Sequence, residues 1–110
     1  MDINSVKWHP YTEENWQEEV CYVEWHSATD GKFSKADIFM IFRAVILVYS
    51  RLLAYACNIT VSDALDILHY KNMQNFENAL NEVLEPLPWG TGVDYSELKR
   101  ILSSVMVPKL

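Results

Sequence analysis

The sequence predicts an all-α fold, a compact bundle of four to five short helices around a central apolar helix at about 35–57. Three observations carry that expectation. Helix start signals recur with one spacing at Ser34 and Asp37, Thr60 and Asp63, and Asp94 and Glu97, where a side-chain oxygen can accept from the backbone N–H three residues on. Stop signals answer them at Asn58, at Pro86 and Pro88, and at Pro108. Between these marks, apolar residues return at intervals of three and four, the period of a helix with one buried face. With 110 residues, half of them apolar, and only three glycines and four prolines, the chain is expected to close one core as a single domain, 1–110. Disorder, collagen-like repeats and a disulfide-stapled miniprotein are excluded by the same composition.

Residues 1–11 read as extended or irregular. In 13–26, Trp16, Val20 and Val23 follow Thr12 at helical spacing, and Glu13 and Glu14 would sit favourably at a helix amino terminus. Val20-Cys21-Tyr22-Val23-Glu24-Trp25 is nevertheless rich in strand formers, and Asp30-Gly31 is a turn signal. A helix is the preferred reading there; the alternative is an α+β fold with an N-terminal hairpin near 20–33. The central helix places Ile38, Ile41, Phe42, Val45, Tyr49, Leu52, Leu53 and Ala56 on one broad face. A narrow opposite stripe holds Ala36, Arg43, Leu47, Ser50 and Ala54, with Arg51 at its edge.

A helix this apolar belongs in the middle of a bundle or in a membrane. Its ten Leu, Ile, Phe and Val residues would contribute roughly −3 to −6 kcal/mol to insertion, against about +5 to +7 for Arg43 and Arg51. The spine of a bundle is therefore expected, and no membrane span. Three helices are expected to cover it. Helix 61–71 offers Val61, Leu65 and Leu68, helix 73–85 offers Phe76, Leu80 and Val83, and helix 95–106 offers Leu98, Ile101, Leu102 and Val105. The polar back of 73–85, with Asn75, Asn78 and Asn81, reads as a solvated face. Residues 86–93 form a loop carrying Trp89.

Charge is unevenly distributed. The net charge is −6, and residues 8–31 hold six acids (Glu13, Glu14, Glu18, Glu19, Glu24, Asp30) without a lysine or arginine. Lys32, Lys35, Arg43 and Arg51 come next, opposed only by Asp37 up to residue 58. The acidic balance disfavours generic nucleic-acid binding. A helix-turn-helix made of 61–71 and 73–85 is disfavoured too, because Lys71 is the only base between Ile59 and Lys99.

Chemistry-bearing patterns are sparse. His9, His26, His69, Cys21 and Cys57 make no helical i, i+4 pair and no Cys-x-x-Cys, so no metal site and no cofactor is expected. Cys21, Glu24 and His26 are near in sequence without forming a triad, and Gly90-Thr91-Gly92 lacks the strand, lysine or third glycine of a phosphate loop. The chain is not expected to be an enzyme; a cysteine-dependent activity at Cys21 is the enzymatic alternative. No secretory signal is legible at Met1-Asp2-Ile3-Asn4, so a cytoplasmic setting with reduced cysteines is expected.

Two partner-facing features remain: the acidic, aromatic-rich 8–31 segment and the Trp89 loop. Aromatic anchors with steering carboxylates suit a basic protein surface. In size and charge, though in no motif, the chain resembles small bacterial immunity proteins and phage-encoded inhibitors. That resemblance implies an acidic protein-binding inhibitor or adaptor; the charge and aromatic pattern gives Trp8, Glu13, Glu14, Glu18, Glu19, Glu24 and Trp89 as its expected contact residues. The alternative is a non-catalytic subunit of a homo-oligomer, such as a homodimer, that buries part of helix 35–57.

Overall fold

The computed structural model describes residues 1–12, 32–88 and 92–110. Within them the fold is mainly helical with a small β component, closer to the α+β alternative than to a bundle of four to five helices. A 3₁₀ turn at Ile3–Ser5 leads into β1 (Lys7–Pro10). Then come α1 (Lys35–Cys57), α2 (Val61–Leu84), α3 (Tyr95–Leu102) and β2 (Met106–Lys109). The two strands pair antiparallel, with Trp8 opposite Pro108 and His9 opposite Val107, so the ribbon ties together the two ends of the chain. Tyr11 extends the pairing by donating its N–H to the Val105 carbonyl at 2.8 Å.

The start signals work as the spacing predicts. Ser34 and Asp37 form a complete capping box, the Asp37 N–H donating to Ser34 Oγ at 3.1 Å and the Ser34 N–H to Asp37 Oδ2 at 2.9 Å. Asp63 N–H donates to Thr60 Oγ1 at 3.0 Å, and Glu97 N–H to Asp94 Oδ1 at 2.9 Å. Asn58 ends α1 in the left-handed region, with φ 54°, which asparagine tolerates better than most residues.

Two expected helices are one. The break placed between 61–71 and 73–85 is absent, and α2 runs through Asn72, a weak helix former whose side chain finds partners that offset its propensity. Fully buried, Asn72 donates from Nδ2 to the Leu68 carbonyl at 3.0 Å and to the Met106 carbonyl at 2.9 Å. It also accepts the Met106 N–H on Oδ1 at 2.6 Å. Its amide thus imitates one residue of a neighbouring strand and holds β2 on α2.

The last helix is also shorter than 95–106. It stops at Leu102, where the Ser103 and Ser104 hydroxyls donate to the Arg100 and Ile101 carbonyls, each at 2.7 Å. Past this turn the chain extends into β2. The β component therefore comes from the chain ends; the helix expected at 13–26 and most of the hairpin expected near 20–33 lie outside the described residues. Phe33, at the edge of that region, forms an isolated antiparallel bridge with Val93, exchanging N–H to carbonyl bonds of 2.8 and 2.9 Å. Gly92 permits this close approach, since a Cβ there would stand 2.9 Å from Lys32 Cβ and 3.0 Å from the Phe33 carbonyl oxygen.

One apolar cluster joins the elements. Ile38, Phe42, Val45 and Leu53 of α1 meet Leu68, Phe76 and Leu80 of α2, with Leu98, Ile101 and Leu102 of α3 and Val105 and Val107 closing the far side. Phe76 stacks on Phe42 with ring centroids 4.0 Å apart and meets Phe39 edge-on at 5.4 Å. The predicted faces hold with four exceptions: Leu52 and Val61 are exposed, while Ser50 and Ala54 are buried. Ser50 is accommodated because its hydroxyl donates to the Leu47 carbonyl at 2.8 Å. The predicted solvated back of α2 is present, with Asn75, Asn78 and Asn81 on the side away from the core and Gln74 bonded to Asn78. Of the described helices, α1 is the one long and apolar enough to cross a membrane, and half of its apolar window is buried inside the structure.

Candidate binding surfaces

Of the seven predicted contact residues, Trp8 alone falls within the described residues; Glu13, Glu14, Glu18, Glu19, Glu24 and Trp89 lie outside them. Trp8 is half-buried on β1, packs against the core, and has Lys71 Nζ 4.6 Å from its ring centroid. Lys71 immediately precedes Asn72, so adjacent residues of α2 grip both strands of the ribbon. Trp8 thus belongs to the root of the acidic segment. Tyr11 shares that role: it is buried and meets Tyr49 of α1 edge-on at 6.0 Å. On the other side, buried Phe33 is fixed by its bridge to Val93.

A second surface runs along the seam of α1 and α2. Asn58, Ile59 and Thr60 alone connect these helices, and between them lies a groove of about 320 Å³ lined by Met40, Arg43, Ala44 and Leu47 of α1 with Leu65 and His69 of α2. Sequence explains the depression: Ala44 offers one methyl group where its neighbours Met40 and Leu47 are long. Those two remain 43% and 41% exposed, so apolar surface borders the groove. Arg43, Leu47 and Arg51 recur at i, i+4 and i+8 and so stand in line, the arginines roughly 12 Å apart along the helix axis.

The electrostatics of this face are one-sided. Arg43 and Arg51 are exposed and enter no ion pair among the described residues, where the one salt bridge joins Arg100 to Glu82 at 2.7 Å. Asp37, the only acid on α1, caps the helix start, and exposed Asp66 on α2 lies outside the groove lining. Elsewhere on these helices Leu52 and Tyr55 of α1 and Tyr70 of α2 are also exposed, the tyrosines at 92% and 94%. By helical period Arg43, Leu47 and Arg51 fall on the narrow back of the central helix. The signal was present as a leucine centred between two arginines at i±4, but periodicity alone does not distinguish an unfilled stripe from a covered one.

Little else in the described residues bears chemistry. They contain no group of three His, Cys, Asp or Glu side chains able to hold a metal. Cys57 is a half-buried free thiol at the end of α1, and Cys21 lies outside the described residues. The continuity of α2 removes the helix-turn-helix considered for 61–85. Compared with protein-family models, curated proteins and solved structures, the chain matches none.

Proposed function

We propose that the chain is a non-catalytic protein-binding module, a small acidic inhibitor or adaptor, that engages a basic partner surface through its 8–31 segment. The observation carrying this reading is the pinning of that segment at both roots. Tyr11 and Phe33 are buried in the core, and between them the sequence places six acids without an arginine and with Lys32 as the single lysine, at the far root. Such a segment presents a concentrated negative field from a fixed base, which speeds encounter with a cationic surface. Trp16, Tyr22 and Trp25 would supply the apolar contact that retains it. A cytoplasmic setting, without membrane span, metal or cofactor, belongs to the same reading.

Affinity capture from the native host, comparing wild type with the triple variant Glu14→Lys, Glu18→Lys, Glu19→Lys, tests it. A partner retained by wild type and lost by the variant, most clearly at low salt, is the expected outcome. Identical captured proteins at both salt concentrations would contradict it.

A second reading has its own support. Met40, Leu47 and Leu52 leave apolar area exposed on α1, as a subunit of a homo-oligomer would before assembly. Light scattering after gel filtration decides this one: a monomer at tens of micromolar removes it.

A further inference from the structure

We propose that the α1–α2 groove is a second binding surface, for an acidic amphipathic helix of a partner protein. The inference rests on the reading of the chain as a protein-binding module, but not on the acidic segment being a contact. Apolar side chains at i, i+3, i+4 and i+7 of an incoming helix would fill the depression over Ala44, between Met40, Leu47 and Leu65. Carboxylates flanking that stripe would meet Arg43 and Arg51, whose guanidiniums have no ion-pair partner among the described residues.

The occupant is set by charge and shape. In a two-fold pairing of α1 with α1 of a second copy, antiparallel and centred on Leu47, each Arg43 would face the other copy's Arg51, with no carboxylate on the stripe to separate them. Like charges so placed oppose association. An anionic bilayer is also a poorer fit, because a plane of headgroups does not fill a groove. A basic helix would meet the arginines directly. An acidic amphipathic helix satisfies both the apolar floor and the cationic rim. The molecule then has two faces of opposite preference, the arrangement an adaptor requires.

The test uses two fluorescein-labelled synthetic helices with the same leucine stripe, one flanked by glutamates and the other by lysines. Fluorescence anisotropy with the full chain should show saturable binding of the glutamate helix, about tenfold or more tighter than the lysine helix and weakened by salt. The double variant Arg43→Glu, Arg51→Glu should reverse that order while keeping the wild-type circular dichroism spectrum. Equal affinity for the two helices, or binding of neither, overturns the proposal without reference to any variant. So does a wild-type dimer dissociated by Leu47→Gln, or sedimentation with phosphatidylserine vesicles in place of helix binding. The captures with the Glu14, Glu18 and Glu19 variant report on the other face, so the two readings can fail separately.

Discussion

Two places in this molecule put a side chain where its chemistry does not belong, and they resolve the mismatch in opposite ways. Asn72 carries an amide into the apolar interior and finds three hydrogen-bond partners there. Leu47 holds an apolar side chain in water between two arginines, neither of them in an ion pair among the described residues. A buried polar group that is fully satisfied contributes to the architecture, because removing it strands its partners. An exposed apolar group beside unpaired charge contributes little to the fold and is available to another molecule. The same pair of helices thus carries both a joint and the proposed contact face.

The interior side of that comparison predicts the larger effects. Phe76→Ala removes a ring that stacks on Phe42 and touches Phe39 within a closed core, so urea unfolding should show a loss of about 3–5 kcal/mol. A loss below about 1 kcal/mol would mean that the two helices are not joined through this ring. Asn72→Ala leaves the Met106 N–H and carbonyl without their side-chain partner and should cost about 2–3 kcal/mol. Amide exchange sharpens this prediction. Protection should fall first in β1 and β2 while α1 keeps its own, because the joint lies between α2 and the ribbon.

How far the sequence foretold this fold depends on the range of the forces. Local chemistry was legible: the Ser34 box and the Thr60 and Asp94 caps are set by residues three apart, and the end of α1 by Asn58 itself. Long-range pairing was not. Asn72 resembled a helix break because its partner Met106 lies 34 positions away, and Met106-Val107-Pro108-Lys109 resembled a helix end because β1 lies at the other terminus. The proposed contact faces divide the same way. The acids of 8–31 mark a charged segment in the sequence, but that Trp8 serves its root, under Lys71, depends on packing between distant elements. Periodicity grouped Arg43, Leu47 and Arg51 as the back of a core helix, although only packing reveals that Leu65 and His69 leave a groove beside them.

The central claim is that the exposed stripe of α1 serves contact, with the fold resting on residues beneath it. Leu47→Gln tests this most directly, when its urea unfolding is measured alongside its binding of the glutamate-flanked helix. The account predicts stability within about 0.5 kcal/mol of wild type, as for a surface site, together with binding weakened about tenfold. A stability loss of about 2 kcal/mol or more, with helix binding unchanged, would contradict it and return Leu47 to the core.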